Sequence, residues 1–275
     1  MRNTRFKIQN SRMHALRLFL VFAFSLLTIN YSLLTFSYAA HPLITDDTGT
    51  QGKGKFQLEL NTEFSKDKET VEGVTFKSTG GEVAAVFSYG VTDNVDIVFG
   101  LPYLWFRDKE DGVTVSKENG IGDVSLELKW RFYEHEGLSF ALKPGITFPT
   151  GDENKGLGTG RAAGSIFLIA TKEVEPFAVH FNLGYWRNEN KADERKNLWH
   201  ASLAGEAEIL KDLKVVANIG VERNPDKGSN SNPAFILGGV IYSLSENIDI
   251  DFGIKGGLNK TETDLTFLAG MALRF

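Results

Sequence analysis

Length, composition and charge already exclude several classes of protein. The chain has 275 residues, with 28 Gly, 21 Phe, 7 Pro and no Cys. The lack of cysteine excludes a disulfide framework and a thiolate metal site. Beyond the N-terminal region no segment approaches 18 consecutive apolar residues, so membrane-spanning helices are excluded there.

The N-terminus has the pattern of a secretory signal peptide. An apolar run at 18–29 and small residues at 37–40 follow five basic residues, namely Arg2, Arg5, Lys7, Arg12 and Arg17. We expect cleavage after Ala39 or Ala40, and assign residues 1–39 to the signal peptide. The alternative is a membrane anchor, but the apolar run is too short to span a bilayer of about 30 Å.

Removal of the signal peptide makes the chain more acidic. Of the 30 Lys and Arg residues five are removed, and none of the 35 Asp and Glu residues, so the net charge becomes 25 minus 35, or −10. This balance argues against nucleic acid as a partner.

The last stretch, 263–275, predicts the closing strand of an outer-membrane β-barrel. Its apolar residues alternate with a mixed face, and the chain ends on Phe275. Eleven earlier segments of about ten residues show the same two-sided pattern, and in 123–133 Leu126 and Leu128 alternate with Glu127 and Lys129. The eleven are 55–64, 81–91, 94–106, 123–133, 138–148, 161–171, 177–186, 198–210, 213–221, 234–243 and 247–257.

The connections and the aromatic residues indicate the same architecture. Five short turns alternate with six longer polar loops, which we place at 65–80, 107–122, 149–160, 187–197, 222–233 and 258–262. The strand directions gather aromatic residues into two girdles, one at each membrane interface. Because a membrane sheet cannot leave an edge unpaired, the last strand must pair with the first. The predicted fold is an all-β, transmembrane antiparallel barrel of about twelve strands over 55–275, preceded by a short periplasmic segment, 40–54.

Four stretches resemble a known family. They are HPLITDDTGTQGKGKFQLEL at 41–60, FGLPY at 99–103, GIGDVSLELKWRF at 120–132 and PGITFPTGDENKGLGTGR at 144–161. They are similar to the outer-membrane family described as "putative meta-pathway of phenol degradation", also labelled transporters. The resemblance covers most of the mature chain and implies location and architecture; no catalytic residue of the family carries over.

Candidate functional residues are the polar side chains that the alternation directs into the lumen. They suggest a narrow, cation-preferring or polar-solute pathway. The alternative is a salt-bridged, packed interior, for example with Lys143 paired to Glu127 or Arg274 to Asp249. The lumen candidates are Glu59, Glu63, Asp96, Glu127, Lys129, Arg131, Lys143, His180, His200, Glu206, Glu208, Lys214, Asp249, Asp251, Lys255 and Arg274.

Two motifs point to other functions. His200 and Ser202 resemble the His-x-Ser element of outer-membrane lipid-ester hydrolases, but the Asn-Gly continuation of the phospholipases is absent and both residues are predicted to face the lumen. The glycine-rich stretch 151–160 lacks the ending of a phosphate loop. Asp46 and Asp47 are expected to anchor segment 40–54 to lumen or turn amides.

The sequence therefore predicts a monomeric outer-membrane channel of a Gram-negative bacterium. It would give passive uptake to a small organic solute, for which aromatic compounds are candidates, without enzyme activity, cofactor, metal or plug domain. The expected partners are outer-membrane lipid and lipopolysaccharide, the barrel-assembly machinery and the solute. A closed structural or surface-interaction barrel is the first alternative, and a lipid-ester hydrolase that uses His200 and Ser202 is the second.

Overall fold

The computed structural model describes residues 41–275, which form a closed antiparallel β-barrel. One short 3₁₀ helix, Glu153–Lys155, lies in a connecting loop. Within this part of the chain no helix is long and apolar enough to cross a membrane. The strands are β1 Phe56–Val71, β2 Val74–Thr92, β3 Val95–Glu110, β4 Val113–Ile121, β5 Val124–His135, β6 Leu138–Phe148, β7 Ala163–Val174, β8 Phe177–Arg187, β9 Asn197–Leu210, β10 Leu213–Glu222, β11 Ala234–Ser245, β12 Ile248–Gly257 and β13 Leu265–Arg274.

The predicted count of twelve barrel strands is confirmed. β4 and β5 both pair with β3, one along its outer part and the other along its inner part, so together they form a single wall strand interrupted at 122–123. The remaining strands pair with their neighbours in chain order. The expected closure is also present: β13 pairs with β1, and Phe56 and Phe275 exchange two backbone hydrogen bonds of 3.1 and 2.9 Å.

Two of the expected loops are strand extensions instead. Segments 65–80 and 107–122 continue as the paired hairpins β1–β2 and β3–β4, each with a two-residue turn. The turn residues Glu72, Gly73, Asp111 and Gly112 all have positive φ, as a tight hairpin turn of this type requires. The prediction was wrong here because polar residues cover both faces of a hairpin that projects beyond the membrane, so no two-sided pattern marks it.

The outer surface of the barrel is apolar, as a lipid-facing surface must be. On β5 Leu126, Leu128 and Trp130 are 40 to 44% exposed, while Lys129 between them is buried. Aromatic residues are exposed at both rims. They are Phe56, Tyr89, Trp130, Phe132, Phe177 and Phe275 near the short turns, and Phe64, Tyr103, Phe148, Tyr185 and Trp199 near the longer connections. These two girdles place the barrel in the outer membrane with its longer connections outside.

The segment before β1 lies inside the barrel. Residues 41–54 were expected on the periplasmic side, and too short to plug the lumen. Instead their side chains and backbone N–H groups contact inward-facing residues of at least six strands. The segment also gives the inner face of β11 an apolar partner, and stretch 235–242 is accordingly apolar on both faces. The predicted signal peptide, 1–39, falls outside the described residues.

Candidate functional site

The lumen segment, residues 41–54, is held at its centre by ion pairs. One oxygen of Asp46 accepts a hydrogen bond from Lys129 Nζ and the other from Lys143 Nζ, each at 3.0 Å. Asp47 adds a contact of 3.2 Å to Lys129. All these groups are largely withdrawn from solvent, so each charge is stabilised mainly by its partners. The two acids do anchor the segment, but their partners in the wall are ammonium groups and not the amides expected.

Neutral polar groups extend these contacts along the segment. Asn218 on β10 accepts the backbone N–H of Thr45 at 3.0 Å, and Thr45 Oγ1 donates to Ser202 Oγ at 2.7 Å. Further along, Asp96 accepts the backbone N–H of Gln51 at 2.9 Å. Since backbone donors buried in the lumen need partners, these wall residues fix the path of the segment.

The start of the segment packs against apolar residues and also makes a contact between two ionisable side chains. Leu43 and Ile44 pack against the buried cluster of Phe235, Leu237 and Leu268 on β11 and β13. His41 Nδ1 lies 2.6 Å from Asp251 Oδ1. The segment therefore crosses from the acidic side chains of β12 to the β2–β3 turn, filling much of the inner half of the lumen.

Three ion pairs join predicted lumen residues to one another, and several other predicted charges pair with residues outside that set. Both pairs proposed from the sequence are present: Lys143 with Glu127 at 3.0 Å, and Arg274 with Asp249. Further pairs join Lys214 to Glu206, Lys255 to Glu262 and Arg131 to Glu134. Glu59 accepts a hydrogen bond from Gln57 at 2.5 Å, while Glu63 and Glu208 are half-buried on inward-facing positions. The interior is a network of ion pairs around the lumen segment.

The two lumen histidines have different surroundings. His180 is fully buried and its Nδ1 lies 3.0 Å from Thr171 Oγ1. His200 is edge-to-face with Trp186, at 6.0 Å between ring centroids, and its Nδ1 is 3.6 Å from Glu222 Oε2.

The arrangement around His200 does not resemble a hydrolytic pair. Ser202 accepts a hydrogen bond from Thr45, and its side chain is buried in the lumen. A serine that attacks a lipid ester needs a hydrogen bond to its base and access to the lipid. His200 instead contacts aromatic rings and the Glu222 carboxylate.

A cavity of about 290 Å³ lies at the outer end of this cluster. Trp186, Leu198 and Pro225 give it apolar walls, and Glu194, Glu222 and Arg223 add three charged groups. Behind it, Phe167 packs edge-to-face against Trp186, with 4.7 Å between ring centroids. A concave site with an indole, apolar walls and a few polar groups suits a small aromatic molecule with a polar substituent.

Sequence reasoning identified His200 but missed Phe167 and Trp186. The signal was present, because Trp186 has the same strand parity as His180 and so faces the lumen. Only charged residues and histidines were considered as lumen candidates, and inward aromatic residues were left out.

A second cavity, of about 220 Å³, lies between the lumen segment and β1 to β3. Its walls are strongly polar and include Glu59, Asp96, Lys129 and Lys143. In the described part of the chain, no group of three or more His, Cys, Asp or Glu side chains is placed to hold a metal ion.

The outer loops are tied to the rim of the barrel and to one another. Asp123 fixes loop 149–162 by accepting the backbone N–H groups of Gly151 and Thr159, at 2.9 and 2.7 Å. The loop thereby buries Leu157. Glu153 of this loop binds Lys191 of the loop after β8, and this hydrogen bond lowers the pKa of the Glu153 carboxyl.

Comparison with known proteins assigns the family. A family model described as "Putative MetA-pathway of phenol degradation" matches residues 42–275. The chain belongs to this family. The match includes the lumen segment from Pro42 onward, so the segment is part of what the family shares. No curated protein matches the sequence.

Solved structures show the same fold. An outer membrane channel from Pseudomonas putida F1 is 14% identical, with a TM-score of 0.65 over 83% of this chain and 98% of that one. The translocator domain of the autotransporter NalP from Neisseria meningitidis is also 14% identical, with a TM-score of 0.53 over 82% of this chain and 89% of that one. Both structures share the barrel fold with this chain.

Proposed function

We propose that this family member is an outer-membrane channel for the passive uptake of a small organic solute, with monocyclic aromatic compounds as the best candidates. The observation that carries the proposal is the outer cavity beside Trp186, which joins apolar walls to the Glu222 carboxylate. The family description and the channel from Pseudomonas putida F1 support the same reading.

The structure suggests how such a solute would enter. The ring would pack on Trp186, where aromatic stacking offsets the loss of hydration. A hydroxyl substituent could donate to Glu222, which stays about half exposed beside His200. The solute would then meet the lumen segment, whose hydrogen bonds, ion pairs and apolar contacts to the wall can be exchanged without unfolding the wall.

The uptake is passive in this proposal, and no enzymatic step is included. Concentration differences across the membrane would drive the solute inward. The lumen segment would act as a selective barrier, because ions must pass a narrow region with charges of both signs.

A closed, structural barrel remains the second candidate. The paired charges and the lumen segment favour it, since both occupy space within the barrel. The two functions differ in one measurable property, the passage of ions and solutes.

Liposome swelling tests the proposal directly. Proteoliposomes with the refolded protein are diluted into isotonic solutions of phenol-class solutes or of sugars of similar mass. Entry of the aromatic solutes above the rate of empty liposomes, with little entry of sugars, supports a channel for aromatic compounds. Because such solutes also cross lipid unaided, Trp186→Ala is the matched control and should reduce the protein-dependent part. Equal rates for wild type, variant and empty liposomes would favour the closed barrel.

A further inference from the structure

The outer rim carries a patch of basic side chains that the channel proposal does not use. We call it the rim patch, and it comprises Lys66, Lys68, Lys77, Arg107, Lys109 and Lys117. The residues lie on the two projecting hairpins β1–β2 and β3–β4. All six share the strand parity of lipid-facing residues such as Phe64 and Tyr103, so they continue the lipid-facing surface beyond the aromatic girdle.

Strand register places these cations directly opposite one another. Lys68 pairs with Lys77, and Lys77 with Lys109 on the next strand. In the adjacent row Arg107 pairs with Lys117. Like charges directly opposite on neighbouring strands repel, so this arrangement costs stability unless an anion neutralises it.

Residues 41–275 do not supply that anion. None of the six side chains forms an ion pair within this part of the chain, whereas Arg187 and Lys196 at another part of the outer rim both bind Glu189. The acids of the same strands occupy the opposite parity: Asp67, Glu69, Asp108, Glu110 and Glu118. Asp264 accepts the backbone N–H of Lys68, not its ammonium group.

The patch begins where the lipid-facing surface ends. The ammonium group of Lys66 lies over the rings of Phe64 and Phe267, at 5.3 and 6.0 Å from their centroids. With about 4.8 Å between strands, the four strands span about 14 Å across the barrel surface. An anion bound here would therefore sit at headgroup depth, next to acyl chains that pack on the girdle below.

We propose that the rim patch is a binding site for a phosphorylated lipid of the outer leaflet, of the lipid A type. Its phosphate groups would neutralise the opposed cations and its acyl chains would lie on the apolar wall of β1 to β3. Charge complementarity and continuity with the lipid-facing girdle both specify this occupant. The site does not depend on whether the lumen conducts.

Lipid binding to the refolded, lipid-free protein in detergent tests this site. Native mass spectrometry would count bound lipid A, with dephosphorylated lipid A and inorganic phosphate as the other two probes. Wild type should bind lipid A and not the dephosphorylated form. The triple variant Lys68→Gln, Lys77→Gln, Lys109→Gln should raise the dissociation constant about a hundredfold, since each basic residue beside an anionic headgroup contributes about fivefold. The charge-matched control with Lys55, Lys155 and Lys211 changed to Gln should bind as wild type does.

Three results would overturn the proposal. They are equal affinities of wild type and the triple variant, equal binding of dephosphorylated lipid A, or competition by inorganic phosphate at concentrations similar to those of lipid A. If the triple variant does not refold, Lys77→Gln replaces it, because Lys77 faces two of the other cations. It should weaken lipid A binding about fivefold without lowering stability in lipid-free detergent, because it also relieves repulsion.

Discussion

The two faces of the wall require side chains of opposite polarity. Leu126 faces lipid and is 40% exposed, while its neighbour Glu127 lies inside and binds Lys143. A one-residue change of register would put the Glu127 carboxylate in hydrocarbon. The free-energy cost of that change maintains the alternation of apolar and polar side chains along this strand.

Leu126→Arg should therefore destabilise the folded barrel by about 2 to 4 kcal/mol, the cost of a guanidinium near the bilayer midplane. Chemical unfolding in lipid vesicles measures this cost, with Leu126→Met as the control of similar volume. An arginine variant as stable as the control would show that this side chain does not face lipid.

Trp186 is the residue on which the solute proposal depends most. Trp186→Ala should raise the concentration of aromatic solute that half-saturates the site about three- to tenfold. This change corresponds to the loss of one aromatic contact worth about 0.5 to 1.5 kcal/mol. Solute-dependent quenching of tryptophan fluorescence or block of ion current gives the value. Trp130→Ala, which removes a lipid-facing ring at the other rim, is the control and should leave the value unchanged. A similar shift in both variants would place the solute elsewhere.

Among the elements, the lumen segment is the one that the sequence described least well. The resemblance included Asp46 and Asp47, and these acids do bind the lumen wall. The location of the segment could not be predicted, because a stretch of 14 residues without periodicity carries no signal for the face that it contacts. The strands were predicted well, since apolar residues alternate along the lipid-facing side of each strand. This alternation can be recognised without knowing which strands are its neighbours.

The anchoring of this segment can be tested at Asp46. Asp46→Asn weakens two charged hydrogen bonds, each worth about 1.5 to 3 kcal/mol, and leaves Lys129 and Lys143 with Asp47 and Glu127. The segment should leave its position more often, with larger or more frequent conductance steps. Asp212→Asn, in an exposed turn with positive φ that Asn tolerates, is the control. Unchanged conductance in the Asp46 variant would mean that the segment does not limit the current.

A steric test of the same element uses glycines of the wall. A Cβ on Gly253 would lie 2.7 Å from Pro42 Cβ, so Gly253→Ala should displace the start of the segment. Gly238→Ala on the neighbouring strand is the control, because a Cβ there meets nothing within 4 Å. Protease sensitivity of residues 41–54 should rise in the first variant alone. Unchanged protease sensitivity would show that the other contacts of the segment hold it in place and that Pro42 can move far enough to accommodate the methyl group.

The whole molecule is a membrane barrel with a filled interior. Pairing between β1 and β13 closes the sheet, so that backbone hydrogen-bonding groups of the wall have partners. The polar side chains on the inner face find partners in ion pairs and in the lumen segment. Fold, strand number and closure followed from the sequence because lipid requires apolar side chains on the outer face of every strand. The interior did not follow, because its pairings join residues far apart in the chain, such as Asp46 with Lys143, and each inward charge has several possible partners.

The central claim is that this filled interior still conducts a small aromatic solute. Single-channel recording of the refolded protein in a planar bilayer tests it most directly, with a phenol-class solute or a sugar on one side. We expect small discrete steps that the aromatic solute blocks and the sugar does not, with weaker block in Trp186→Ala. A silent bilayer, with insertion verified by heat-modifiable gel mobility and no current in Asp46→Asn either, would contradict it.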